Sequence, residues 1–139
     1  PPELPAPFNE VVAAAACRAA LESGAKVVCA FTLGGTTARL LAQFRPPVPV
    51  VAFSPDQAIR RRLALVWGVV PKVMEPIRNP DIMCQMVSDR LVEEGLARPG
   101  DNVVLVYGSP LGVSGRTNSV RLHQIPQPDE RDKAYRVPI

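Results

Sequence analysis

Four short apolar runs, Lys26–Phe31, Val48–Phe53, Val69–Met74 and Asn102–Tyr107, alternate with helix-patterned stretches along this chain. That alternation constrains the fold more than any other feature. Strand–helix–strand units in series cross over right-handedly, so their strands lie parallel and helices cover both faces of the sheet. Strands buried on both faces read as near-continuous apolar runs, as KVVCAF and VPVVAF do. Helices are expected over Val11–Ser23, opened by Phe8-Asn9-Glu10 and stopped by Gly24, and over Ala38–Phe44, stopped by Arg45-Pro46-Pro47. A third should run from Ser54 to Trp67, with Ser54 as N-cap, Pro55 at the first helical position and Gln57 closing a capping box. Asn79-Pro80-Asp81 opens a fourth, which ends at Gly95. The last run, Ser119–Ile125, sets Val120 and Leu122 against Arg121 and His123, the pattern of an edge strand with one exposed face.

A chain of 139 residues, 47% of them apolar, can bury a core without disulfides or a structural metal. The expected organisation is a linker over residues 1–7, one domain over 8–125 and a flexible polar tail over 126–139. No apolar run approaches the roughly 20 residues that span a bilayer, so no membrane partner is expected. Pro1 to Pro7 hold neither a basic nor an apolar leader region, and a cytoplasmic setting follows. Cys17, Cys29 and Cys84 are odd in number, far apart and without a CxxC pair, and His123 is the only histidine. They read as reduced core thiols, with no metal site. The net charge is +3, and its one dense cluster, Arg60-Arg61-Arg62, lies in an expected helix. Nucleic-acid binding would need a continuous basic stripe with stacking aromatics, so the cluster reads as a solvated face.

Two loops could carry chemistry, each beyond the carboxyl end of a strand, where ligands bind in sheets of this kind. Thr32-Leu33-Gly34-Gly35-Thr36-Thr37 joins the first strand to a helix N-terminus. Thr32, Gly34, Gly35, Thr36 and Thr37 form a candidate phosphate cradle: glycines let the backbone approach a ligand, helix N–H groups favour an anion, and hydroxyls add donors. The same residues also suit a plain strand-to-helix turn with Thr36 or Thr37 as N-cap. The second loop, Gly108–Asn118, offers Ser109, Gly112, Ser114, Gly115, Arg116 and Thr117, with Arg116 the only permanent cation in either loop. It also suits a plain surface loop. No catalytic residues are expected. No serine elbow accompanies the single histidine, no carboxylate sits in either loop, and Asp81, Asp89, Glu93 and Glu94 read as solvated helix charges.

The segment GAKVVCAFTLGGTTARLLAQFRPPVPVVAFSPDQAIRRRLALVWGVVP (Gly24–Pro71) resembles the C-terminal domain of bacterial pyruvate kinases. The resemblance rests on GAK–strand–TxxGx[ST]AR, then RPPxP[VI][VI]A, then a helix ending in WGV. GDNVVLVYGSPLGVSGRTNSVRLHQI (Gly100–Ile125) is similar to that family's closing segment. The resemblance covers Phe8 to Ile125. It implies an α/β fold: a three-layer α/β/α sandwich around a five-stranded, mostly parallel sheet with the last strand antiparallel. It also implies a regulatory domain that binds a phosphorylated effector, helps build a homo-oligomer and holds no cofactor. Catalysis from phosphoenolpyruvate to ADP, with magnesium and potassium, would belong to a separate catalytic barrel domain. By the same resemblance, the first loop and Gly108–Thr117 are the effector loops. Only Arg78 lies between Glu75 and Met86, where members activated by fructose 1,6-bisphosphate carry a tryptophan and an arginine. A nucleotide or sugar monophosphate therefore fits better. The alternative is a stand-alone relative that binds or acts on a small phosphorylated metabolite.

Overall fold

A computed structural model describes residues 3–108 and 117–129. Nine elements follow in the order α1 (Phe8–Ser23), β1 (Val27–Phe31), α2 (Thr36–Gln43), β2 (Val50–Ser54), α3 (Gln57–Leu63), β3 (Val69–Val73), α4 (Pro80–Glu93), β4 (Asn102–Tyr107) and β5 (Ser119–Gln124). The strands form one sheet in the order β3-β2-β1-β4-β5. β1 pairs in parallel with both β2 and β4, and β2 with β3, while β5 returns antiparallel to β4. The expected three-layer α/β/α sandwich is the observed one.

Side-chain alternation along the central strands divides the core in two. Val28, Ala30, Val50, Ala52, Val104 and Val106 face α1, α2 and α3, and that cluster also holds Ala13, Ala16, Ala20, Ala38, Leu41 and Leu63. Small residues on both sides let these helices lie close to the sheet. The alanine stripe of α1 is therefore used inside the chain, with Ala13, Ala16 and Ala20 buried. The opposite face packs larger side chains, among them Phe53, Met83, Val87, Leu91 and Leu105, under α4.

The helix starts differ instructively from the sequence reading. α4 begins as expected: Asn79 Oδ1 accepts from the backbone N–H of Asp81 and Ile82 at 2.9 and 3.1 Å, with Pro80 in the first turn. α3 does not. Ser54 ends β2, and Asp56 is the N-cap, accepting from the Ala58 N–H at 2.8 Å. A buried Ser54 hydroxyl accepts from the Asp56 N–H instead, at 3.3 Å. α3 also stops at Leu63 rather than Trp67, because tight Leu65 N–H to Arg62 O and Val66 N–H to Leu63 O bonds replace the helical spacing.

The edge strand β5 inverts the usual polarity. Arg121 and His123 turn toward α4, where an Arg121 guanidinium N–H donates to Asp81 Oδ1 at 3.0 Å and His123 Nε2 lies 3.0 Å from Ser88 Oγ. Val120 and Leu122 face out and are exposed. Asp81 is thus paired rather than a solvated helix charge, and Glu94 joins it, bridging Lys72 and Arg90 at 3.1 and 3.3 Å.

Candidate functional site

β1 and β4 are neighbours, so Thr32 after β1 and Gly108 after β4 leave the sheet side by side. At the first of them, the Thr32 N–H donates to Phe53 O at 3.0 Å, which anchors the turn on β2. The buried Thr32 hydroxyl then accepts the Gly35 N–H at 2.8 Å. Gly35 takes φ 89° and is the N-cap of α2. That conformation strains a residue with a side chain, and a Cβ there would also touch Leu63 Cδ2 at 3.4 Å. The helix therefore starts at Thr36, two residues before the expected Ala38, and neither Thr36 nor Thr37 is the N-cap.

A glycine cap brings no side-chain acceptor. α3 and α4 have their first N–H groups satisfied by Asp56 and Asn79, but no side chain caps α2 among the described residues. The first-turn donors of Thr36, Thr37 and Ala38 are what such a terminus offers an anion, helped by the helix dipole. Gly34 and Thr36 are exposed at this end, so backbone and hydroxyl donors reach the surface together.

Of the five residues of the proposed cradle, two are committed internally. Thr32 closes the turn, and Thr37 Oγ1 lies 2.6 Å from Thr117 Oγ1 with both residues buried. Thr117 belongs to the second loop, so the fold does bring the two loops together, through this hydroxyl pair. The Asn118 N–H donates to Tyr107 O at 3.2 Å and aligns the start of β5 on β4. Ser109, Gly112, Ser114, Gly115 and Arg116 lie outside the described residues.

Arg39 is the residue the loop-by-loop reading missed. It sits one turn into α2, with Nη1 3.7 Å from the position of a Gly35 Cβ, and so adds a cation beside the helix start. Its signal was the spacing in Gly35-Thr36-Thr37-Ala38-Arg39: a residue four positions on from the cap returns to the same helix face. The Ser88–His123 contact was also not expected. Ser88 is buried, and burial, reinforced by the Arg121 charge, pushes the His123 pKa below its ordinary value. The pair is therefore a packed polar contact rather than a reachable nucleophile and base. All three cysteines are free; burial pushes the Cys29 and Cys84 thiols above their ordinary pKa, which keeps them protonated and inert. Among the described residues no group of three or more His, Cys, Asp or Glu could hold a metal, and no helix is long and apolar enough to cross a membrane.

The profile of the family described as "Pyruvate kinase, alpha/beta domain" matches residues 10–123. A pyruvate kinase of Agrobacterium vitis is 37% identical over 113 residues, which cover 81% of this chain and 24% of that protein. The Geobacillus stearothermophilus pyruvate kinase is 33% identical over 118 residues, covering 85% of this chain and 20% of that protein. Among solved structures, a Cryptosporidium parvum pyruvate kinase in complex with ADP superposes with a TM-score of 0.80 at 26% identity, over 90% of this chain and 25% of that one. The chain thus spans about a quarter or less of the relatives it matches. A profile that takes in most of the chain, relatives above 30% identity and a shared backbone lead to one assignment: this chain belongs to the pyruvate kinase alpha/beta-domain family.

Proposed function

We infer that this chain is the effector-binding and subunit-assembly domain of a cytoplasmic pyruvate kinase, with phosphoryl transfer from phosphoenolpyruvate to ADP carried out by a separate catalytic domain that uses magnesium and potassium. The observation that carries this reading is the start of α2. Its glycine cap leaves the first-turn donors without a side-chain acceptor, as Pro7 does at α1, but at α2 Arg39 stands beside them and the end leaves a strand of the sheet. A phosphate dianion suits such a terminus, since charge-assisted bonds are about twice as strong as neutral ones. The effector is a nucleotide or sugar monophosphate rather than fructose 1,6-bisphosphate.

Calorimetric titration of the chain with AMP, ribose 5-phosphate, glucose 6-phosphate and fructose 1,6-bisphosphate tests this. At least one monophosphate should bind more tightly than inorganic phosphate. Arg39→Ala and Arg116→Ala should each weaken it about tenfold, equivalent to one charge-assisted hydrogen bond. If no phosphorylated compound outbinds inorganic phosphate, or both substitutions leave affinity unchanged, the effector role is lost. Thr37→Ala is the wrong probe for ligand contact, because it breaks the bond to Thr117 as well.

The assembly role rests on β5. Its outer edge has no strand partner among the described residues, and its outward face carries exposed Val120 and Leu122. An unpaired apolar edge of this kind is a template for a second copy. A two-fold dimer through β5 is expected in sedimentation at high micromolar concentration, and Leu122→Lys should shift it to monomer. A monomer at every concentration would remove this role.

A further inference from the structure

At the opposite end of α2 from its N-terminus, a groove of about 720 Å³ opens between the last turn of that helix and the segment after α3. Arg39, Ala42, Gln43, Arg45, Val66 and Trp67 line it. α2 has eight residues and is about 12 Å long, so its last turn, which gives Ala42 and Gln43 to the groove, is roughly that far from the Gly35 cap. Two features set it apart from an ordinary surface hollow. Trp67, the only tryptophan of the chain, holds its indole in water with 82% of its surface exposed. No carboxylate lines the groove, so Arg45 stands there without an ion pair among the described residues.

Arg45 is also held against its own backbone preference. It takes φ 47°, a left-handed conformation for a residue with a Cβ and one immediately before a proline, which narrows its choices further. Its N–H donates to Ala42 O at 3.0 Å and fixes the bend. Glycine is the usual residue at such a helix end. The chain places a guanidinium there instead, at the rim of a groove whose other side is a bare indole.

We propose that this groove binds a planar aromatic anion of the nucleoside-phosphate class. The base stacks on the exposed Trp67 indole and the phosphate pairs with the Arg45 guanidinium, with Gln43 on the groove wall as a polar side chain for the edge of the base. Stacking on indole needs a ring with a π face, and guanidinium pairs bind phosphate oxygens in a planar fork. The two features together select against sugar phosphates, which lack the ring, and against neutral aromatics, which lack the charge. This site is separate from the one proposed at the start of α2, although Arg39 borders both.

Trp67 reports on its own site, because no other indole contributes to the emission. The chain is titrated with ADP and AMP, and in parallel with ribose 5-phosphate, pyrophosphate and adenosine, at a protein concentration where sedimentation shows a single species. Saturable quenching by ADP or AMP is expected, with affinity at least about tenfold above each of the three fragments. By calorimetry, Trp67→Ala and Arg45→Ala should each lower nucleotide affinity about tenfold, with the circular dichroism spectrum and melting temperature retained. Thr36→Ala, at the other end of α2, should leave the Trp67 response unchanged, so failure of the effector reading and failure of this one are separable. The proposal is overturned by quenching that never saturates, by pyrophosphate binding as tightly as ADP, or by an unchanged affinity in Arg45→Ala. It is equally overturned if Trp67 emission shifts to the blue with protein concentration alone, since a second copy would then cover the groove.

Discussion

Replacing Phe53 with alanine lowers the unfolding free energy of the chain by about 3–5 kcal/mol, the range for truncating a buried aromatic residue. Phe53 is 1% exposed at the carboxyl end of β2, and its ring stacks on Phe31 of β1 with centroids 5.3 Å apart. The cost combines lost transfer energy with the cavity left beneath α4, which the neighbouring strands can only partly close. Phe53→Leu keeps most of the volume and should cost less than about 1.5 kcal/mol. Urea unfolding of the three proteins measures both values. A loss below about 1.5 kcal/mol for the alanine variant would mean that the α4 side of the core repacks freely. The position also bears on the turn after β1, because Phe53 O accepts the Thr32 N–H that starts it. A softened β2 should therefore loosen that turn as well as the core.

The sheet was legible in the sequence because its signals are local. Each central strand is an unbroken apolar run, and Gly24, at positive φ, ends α1 where the pattern predicts. That the first four strands run parallel follows from the helices between them. What was misread depended on backbone conformation or on contacts between distant residues. Ser54 and Asp56 are both good caps by composition, and burial of Ser54 at the end of β2 decides between them. Gly35 displaces the threonines as the cap of α2 because it can take φ 89°, which composition does not reveal. The polarity of β5 is set by Asp81 and Ser88, which lie 40 and 35 residues away in the chain from the residues they hold. The phosphate-loop reading assigned the hydroxyls of the first loop equally. Only the fold separates Thr36, which reaches the surface, from Thr37, whose partner Thr117 is 80 residues away.

Thr37→Val destabilises the chain by about 1–3 kcal/mol although it keeps the shape of the side chain, because it strands a buried hydroxyl on Thr117. The two hydroxyl oxygens are 2.6 Å apart, with Thr37 7% and Thr117 9% exposed. One hydroxyl must donate and the other accept, so neither side chain is satisfied alone. Thr117→Val should cost a similar amount for the same reason. The double variant replaces both partners with apolar groups of the same shape and leaves nothing unpaired, so its loss should be well below the sum of the two single losses. A coupling of about 0.5–3 kcal/mol is the range for residues in direct contact. Denaturant unfolding of the four proteins gives this cycle directly. Strict additivity would show that the two hydroxyls find solvent or other partners, and the bond would then hold nothing together. Strong coupling would identify this pair as the tie between the start of α2 and the segment that leads into β5.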